Sequence, residues 1–340
     1  MSNKISVFEY ATKSFLEKFD YYWKEAISQL EVVHPQLTVG NRLRPQICLW
    51  GYLSTLELDD IKEHDYSTVA NIAVSIEMIH KASLLVDDWI DNDNERHGDP
   101  TFHLVYGPQM TVIFALNMIG NAMNRIEKTF SDGVILPHNF YLCLVTTIRT
   151  VCDMAKGALK ELQLESNDKF DFEKIKEITQ LETAEIIGNS MLLGYYTGAK
   201  DDISQDTVEI FKEIGEQCGY LFQVLNDLEA FVAPKQLIKH KGNLNLDYQS
   251  NKKNLAIAML YKLANEQDKK RLVDADEETL LKCMKKYNIA ETMYLEINQV
   301  FEDMLKLVDV NSKIDKSTLW CDGFKKFLLY VKKFAETRLK

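Results

Sequence analysis

The chain has 340 residues, of which only 14 are glycine and 6 are proline. This is about half of the combined share in an average protein, so long elements joined by few turns are favoured over an all-β sandwich or barrel. With 51 acidic and 40 basic residues the formal net charge is −11, which argues against nucleic acid as a partner. The six cysteines are scattered without a CxxC pair, as is typical of a reduced, cytoplasmic protein.

Apolar residues recur at three- and four-residue steps along most of the chain, which is the period of an amphipathic helix. Helices are predicted at about 5–31, at Arg44-Pro45 with the proline in the first turn, at about 67–91, and at about 109–130, 138–163, 171–198 and 205–232. Loops are expected over Asn92–Pro108 and Pro234–Lys252, with shorter helices after the second loop. Because no linker or repeat divides the sequence, we expect residues 1–340 to form a single all-α domain.

No segment is predicted to cross a membrane. The first residues are amphipathic and include acids, unlike a signal peptide. The most apolar stretch, Met110–Met123, is too short to span a bilayer and is interrupted by Asn117, Gly120 and Asn121.

The most specific local feature is the sequence Asp87-Asp88-Trp89-Ile90-Asp91, which ends an apolar segment. On a helix, Asp87 and Asp91 lie one turn apart on the same face, with Asp88 beside them. The helix dipole and mutual repulsion both disfavour carboxylates at this end, and a cation offsets both costs. Spaced oxygen ligands suit Mg²⁺, with water and substrate phosphates completing its shell. The alternative interpretation is a solvated acidic helix end.

Several other motifs accompany this aspartate pattern. His80 lies two helical turns before Asp87, and Arg96 follows in Glu95-Arg96-His97-Gly98-Asp99-Pro100-Thr101. The remaining segments are Gly40-Asn41-Arg42-Leu43-Arg44-Pro45, Gly219-Tyr220-Leu221-Phe222-Gln223-Val224-Leu225-Asn226-Asp227 and Asp247-Tyr248-Gln249-Ser250-Asn251-Lys252. In this order and at these distances, the set resembles the trans-isoprenyl diphosphate synthases, the polyprenyl synthetase family, over about residues 35–260.

The resemblance implies an all-α isoprenoid synthase bundle around a deep central apolar cavity, with two aspartate motifs facing each other across its mouth. It implies a Mg²⁺-dependent prenyltransferase in which up to three ions grip an allylic prenyl diphosphate. Ionisation of this substrate gives a carbocation that isopentenyl diphosphate attacks. Members of the family commonly form homodimers, so a homodimer is expected here too.

The positions that match the family motifs define the expected site. Asp87, Asp88 and Asp91 match the first metal motif, and Asn226 and Asp227 match the second. Contacts to the allylic diphosphate are implied for Arg96 and Lys252, and contacts to isopentenyl diphosphate for Asn41, Arg44, His80 and His97. Thr183 and Gln223 match polar residues near the reacting carbon. Ala82 and Ser83 are small where large aromatics stop chain growth early, so a prenyl chain of about C15–C20 or longer should fit.

Four departures from the family pattern bear on the mechanism. Asn41 stands where the family has Lys, and His97 replaces the second Arg of an Arg-Arg-Gly triplet. Glu182 replaces the Lys before Thr183, and it either pairs with a nearby base or contacts a metal or acceptor. The second motif begins with Asn226 and has Ala230 at its last position. Two of these changes fall on the acceptor side, which favours an acceptor other than isopentenyl diphosphate as a credible alternative.

Two further alternatives stay open. A class I terpene cyclase also begins its second motif with Asn-Asp, but Ala230 and Pro234 occupy the later ligand spacings. The second alternative is a non-catalytic, regulatory subunit of a heteromeric synthase. The intact first aspartate motif argues against this alternative.

Overall fold

The computed structural model describes residues 6–133, 135–164, 170–200, 203–232, 253–272 and 275–311, together with single positions between 321 and 333. The helices are α1 (Val7–Ser28), α2 (Pro35–Thr38), α3 (Leu43–Leu53), α4 (Ser67–Ile90), α5 (Phe102–Tyr106), α6 (Pro108–Ser131), α7 (Pro137–Leu162), α8 (Phe172–Thr179), α9 (Glu185–Gly198), α10 (Gln205–Val232), α11 (Leu255–Leu263), α12 (Glu266–Leu272), α13 (Glu277–Lys286) and α14 (Ile289–Asn311). A π-helix, Gln180–Ala184, joins α8 to α9, and the strands β1 (Glu95–Arg96) and β2 (Asp99–Pro100) form an antiparallel hairpin. The predicted all-α class is confirmed.

The structure differs from the sequence-based helix assignment in two places. The predicted loop Asn92–Pro108 contains the hairpin and α5, which are too short to show a hydrophobic period. The predicted helix at 171–198 is interrupted by the π-helix, in which the N–H of Glu185 bonds to the carbonyl of Gln180 five residues earlier. The helix predicted with Pro45 in its first turn is α3, which begins at Leu43 after a residue in the left-handed conformation, as expected. The predicted loop Pro234–Lys252 lies outside the described residues.

Helix α4 is the central helix of the core and packs against α1, α3, α6 and α9. It is long and apolar enough to cross a bilayer, and it is the one such helix among the described residues. Most of its apolar surface is buried inside the bundle, with Ile72, Ile76 and Ile79 at 2% exposure or less. Its apolar character is thus accounted for by its place in the core, and it carries its acidic end to the edge of the bundle.

Helices α3 and α9 touch through their backbones. A Cβ atom at Gly194 would lie 1.8 Å from the carbonyl oxygen of Cys48, and one at Gly51 would lie 2.0 Å from that of Met191. Only glycine permits such a close crossing. The crossing fixes α3 in the core and with it Arg44, which lies in the first turn of α3.

We expect Gly194→Ala to destabilise the protein by about 1–3 kcal/mol, because the new methyl group would force the two backbones apart. Gly188→Ala, in the same helix, is the matched control, since its methyl group would approach the carbonyl oxygen of Lys212 to 3.3 Å and needs only a small adjustment. Urea unfolding of both variants measures the difference. Equal midpoints for the two variants would contradict this account of the crossing.

Candidate active site

The carboxyl end of α4 presents the first aspartate motif. Asp87 and Asp88 lie in its last turn, and Asp91 directly follows the helix, its N–H bonding to the carbonyl of Asp87 at 2.8 Å. Burial raises the pKa of Asp87 to about 7, against an opposing effect of Lys253, and the neighbouring Asp91 adds to the rise. The site therefore holds a carboxylate whose ionised form is disfavoured until a cation joins it.

Asp88 serves a different purpose from Asp87. It is 1% exposed, and its oxygens accept hydrogen bonds from Nε of Arg96 at 2.7 and 3.0 Å. The side-chain amide of Gln36 also donates to Asp88, at 2.6 Å. Both oxygens are thus engaged within the protein, and they orient Arg96. A metal-ligand role for Asp88 stays a prediction.

The hairpin explains the different positions of Arg96 and His97. His97 and Gly98 have φ of 56° and 86°, the conformation of a two-residue type I′ turn, and Arg96 pairs with Asp99. Arg96 therefore reaches back to α4, whereas His97 is exposed at the tip of the turn.

Gln36 connects three parts of this region, although no sequence motif singles it out. Its side-chain oxygen accepts from the N–H of Phe102 at 3.1 Å, and its backbone carbonyl accepts from the ammonium of Lys81 at 3.0 Å. Lys81 also donates to the carbonyl of Val39. Together with its bond to Asp88, Gln36 ties α2 to α4 and α5.

On the predicted acceptor side, the structure brings Arg44 and His80 together, with Nη1 of Arg44 2.9 Å from Nε2 of His80. Burial lowers the pKa of Arg44 to about 10, so it stays cationic at neutral pH. Burial and the charge of Arg44 lower the pKa of His80 well below its usual value, so His80 is neutral and accepts the bond. The Nε atom of Arg44 is buried and has no hydrogen-bond partner among the described residues, which suits an anionic ligand.

Asn41 does not join this pair. It is exposed, and its side-chain oxygen accepts from the N–H of Leu43 at 3.1 Å, at the start of α3. The position that carries a lysine in the family pattern therefore has a local capping role here.

On the opposite side, Thr183 and Gln223 are brought together as the sequence suggested. The hydroxyl of Thr183 donates to the side-chain oxygen of Gln223 at 3.3 Å, and the amide of Gln223 donates to Asp227 at 2.7 Å. The other oxygen of Asp227 accepts from the N–H of Leu255 at 2.7 Å, at the start of α11. Asn226 is exposed. The metal roles of Asn226 and Asp227 stay predictions.

Glu182 has a basic partner. It forms an ion pair with Lys253, whose ammonium also lies 2.5 Å from Oε2 of Glu161. Neither Lys253 nor Glu161 could be singled out from the sequence, because no motif contains them. Lys252, the lysine that matches the family pattern, lies outside the described residues.

Two small residues precede the aspartates on α4. Ala82 is 1% exposed, and Ser83 is partly exposed with its hydroxyl donating to the carbonyl of His80 at 2.9 Å. Their predicted role in admitting a long prenyl chain is consistent with their size but remains a prediction.

The donor set fits Mg²⁺ only in combination with a phosphate ligand. Within the described ranges, no group of three or more His, Cys, Asp or Glu side chains is arranged to hold a metal ion alone. Mg²⁺ typically keeps several waters and binds through one or two carboxylates plus substrate phosphates. Asp87 and Asp91, both partly exposed and one turn apart, offer such a pair.

Comparisons with known proteins identify the family of the chain. The polyprenyl synthetase family model matches residues 30–292, so the chain belongs to this family. The short chain isoprenyl diphosphate synthase of Methanocaldococcus jannaschii is 26% identical over 268 residues, covering 77% of this chain and 76% of that protein. The large subunit 1 of the chloroplastic heterodimeric geranylgeranyl pyrophosphate synthase of Arabidopsis thaliana is 30% identical over 220 residues, covering 61% of this chain and 55% of that protein.

The fold is shared over nearly the whole chain. The crystal structure of geranylgeranyl pyrophosphate synthetase from Pyrococcus horikoshii superposes with a TM-score of 0.73 at 22% identity, covering 97% of this chain and 94% of that one. The predicted family, the all-α isoprenyl synthase fold and the membership in a class of prenyltransferases are therefore confirmed.

We expect Asp87→Asn to abolish metal-dependent activity while raising stability above pH 7, because it removes a negative charge that its surroundings disfavour. The gain should be on the order of 1–4 kcal/mol, given a pKa raised by about three units. It should shrink as the pH falls from about 7 towards 4, because Asp87 then takes up a proton on folding and becomes neutral in the wild type as well. Thermal unfolding between pH 4 and pH 8.5 measures this, and a gain independent of pH would contradict it.

Proposed function

We propose that the chain is a Mg²⁺-dependent prenyl diphosphate synthase. It ionises an allylic prenyl diphosphate of about C15–C20 and transfers the prenyl group to isopentenyl diphosphate. The observation that carries the proposal is that Asp87 and Asp91 lie one turn apart at the end of α4, next to Asp88, which holds Arg96. The names of the relatives, which are isoprenyl and geranylgeranyl diphosphate synthases, support the same activity.

On the allylic side, Asp87 and Asp91 would hold Mg²⁺ together with the diphosphate. The metal, when bound, supplies positive charge to the leaving group. Arg96 donates charge-assisted hydrogen bonds to the diphosphate oxygens, and its bond to Asp88 keeps it oriented before the substrate arrives. The oxygens of Thr183 and Gln223 offer negative partial charge to the developing allylic carbocation.

On the acceptor side, Arg44 binds the diphosphate of isopentenyl diphosphate through its free Nε–H and its Nη groups. Neutral His80 orients the guanidinium by accepting a hydrogen bond from it. This leaves the alkene of the acceptor to attack the carbocation and then lose a proton.

An acceptor other than isopentenyl diphosphate is a second candidate, and the local roles of Asn41 and His97 favour it. The side chain of Asn41 bonds to the first N–H of α3, and His97 is exposed at the tip of a turn. Neither residue therefore places a permanent positive charge beside Arg44. Losing two charge-assisted bonds would weaken binding of isopentenyl diphosphate by about a hundred- to ten-thousand-fold.

The deciding experiment incubates the purified protein and Mg²⁺ with geranyl, farnesyl or geranylgeranyl diphosphate, each with and without isopentenyl diphosphate. Diphosphate release and the mass of the products are measured. We expect release that requires both substrates and a product one isoprene unit longer. A hydrocarbon or alcohol from the allylic substrate alone would indicate a cyclase, and no release from any substrate would overturn the proposal in favour of a non-catalytic subunit.

The second part of this proposal is that the chain forms a homodimer. The exposed apolar face of α6 supports it. One face of α6 is buried against α4 through Phe114 and Met118. The other face exposes Met110, Ile113 and Leu116 at 43–63%, continuous in sequence with exposed apolar residues of α5. A helix that is apolar on both faces is normally covered on both, and a second copy of the chain supplies a matching surface.

We expect Ile113→Lys to convert the dimer into a monomer, because it places a charge in the centre of this face. Leu295→Lys on α14 is the matched control, since both side chains are 63% exposed. Sedimentation velocity at micromolar concentrations distinguishes the two. A wild-type protein that sediments as a monomer would refute the assignment.

A further inference from the structure

Lys253 is a cation that the mechanism above leaves unused. It directly precedes the cap of α11, and its ammonium lies between Glu161 of α7 and Glu182 of the π-helix. Its backbone N–H also donates to Oε1 of Glu161 at 3.4 Å, and only 13% of its side chain is exposed. Because both its backbone and its side chain are held, the ammonium has a fixed position.

The fold makes room for this arrangement at Gly157. A Cβ atom there would lie 2.4 Å from Cγ of Glu182 and 3.1 Å from Cβ of Leu181, so α7 approaches the π-helix only without a side chain at this position. Glu161 lies one turn after Gly157 on the same face of α7 and meets Lys253 from there. Residues of two separate elements, α7 and the π-helix, thus position one ammonium group.

This ammonium lies beside the second aspartate motif. The N–H of Leu255, two residues after Lys253, donates to Asp227 at 2.7 Å, and the side-chain amide of Asn254 donates to the carbonyl of Asp227 at 3.3 Å. Glu182, which pairs with Lys253, directly precedes Thr183, whose hydroxyl donates to Gln223 at 3.3 Å. A diphosphate held between the two aspartate motifs would therefore meet this ammonium.

The hydrogen-bonding capacity of the ammonium leaves space for such a ligand. A lysine ammonium has three N–H donors. Among the described residues, Glu161 and Glu182 are its ion-pair partners, and these two bonds leave one N–H for a further acceptor. Glu182, at a position where the family pattern has a cation, here holds a cation that comes from another part of the chain.

We propose that Lys253 binds the diphosphate of the allylic substrate, with Glu161 and Glu182 positioning its ammonium beside the second aspartate motif. The family pattern has a lysine at residue 182, and in this chain Lys253 supplies that positive charge instead. The inference rests on the proposed function for the identity of the substrate, but diphosphate binding at this lysine can be measured separately from prenyl transfer.

The test measures binding of inorganic diphosphate with Mg²⁺ to the full-length protein by calorimetry. Lys253→Met should weaken this binding by about ten- to a hundred-fold, the effect of one charge-assisted bond, and Lys253→Arg should restore most of it. Lys262→Met is the matched control, because Lys262 lies in α11 and pairs with Glu173 at 3.1 Å on the exterior. It should bind diphosphate like the wild type. In turnover, Lys253→Met should raise the KM for the allylic diphosphate and leave that for isopentenyl diphosphate unchanged.

A double variant separates substrate binding from neutralisation of Glu182. If Lys253 only neutralises Glu182, then Lys253→Met combined with Glu182→Gln should regain wild-type diphosphate affinity, which would overturn the inference. If Lys253 contacts the diphosphate, the double variant stays weak while its thermal unfolding recovers. A wild-type protein that binds no diphosphate also overturns the inference. Lysine-dependent diphosphate binding without product from any allylic substrate would instead overturn only the proposed function.

Discussion

Helix α4 ends in three carboxylates that the folded protein neutralises only in part. Asp88 is paired with Arg96, whereas burial keeps the pKa of Asp87 near 7 at the unfavourable end of the helix dipole. The folded protein therefore holds an electrostatically unfavourable charge that a cation would relieve. Much of the surrounding architecture, from the packing of α4 against α6 to the glycine crossing of α3 and α9, keeps this end of the helix in place.

Each basic side chain of the candidate site is bonded to partners that fix its orientation. Asp88 orients Arg96, the pair Glu161 and Glu182 holds Lys253, and His80 accepts from Arg44. The partners differ in charge, and this matters. Carboxylates reduce the net positive charge on the allylic side, where metal ions are expected to add more. The neutral imidazole leaves the full charge of Arg44 available on the acceptor side.

The long helices and the first aspartate motif could be predicted because both are local patterns. An apolar stripe and a one-turn spacing of acids are visible within a few residues of sequence. The resemblance to the polyprenyl synthetases added Arg44, His80 and Arg96, which the structure places at the site. It could not show that Asn41 caps α3, since that depends on the backbone at one helix start.

Contacts between distant parts of the chain were beyond sequence reasoning. Gln36 meets Asp88 52 residues away, and no periodicity or motif connects them. The ion pair of Glu182 with Lys253 depends on the packing of α7 against the π-helix, and so on the missing side chain of Gly157. The hairpin β1–β2 has only two residues in each strand, too few for an alternating pattern to be recognised.

The π-helix Gln180–Ala184 makes the site sensitive to the number of residues in this segment. A π-turn takes up one residue more than an α-turn, so removing a single residue would restore α-helical hydrogen bonding while α8 and α9 keep their places. Glu182 and Thr183 lie within this segment, so the deletion would shift one of them away from its present partner. A one-residue change in length here, which most surface loops tolerate, would thus disturb the candidate site. Alignments of this chain with relatives that continue as a regular α-helix need a gap within this stretch for their site residues to correspond.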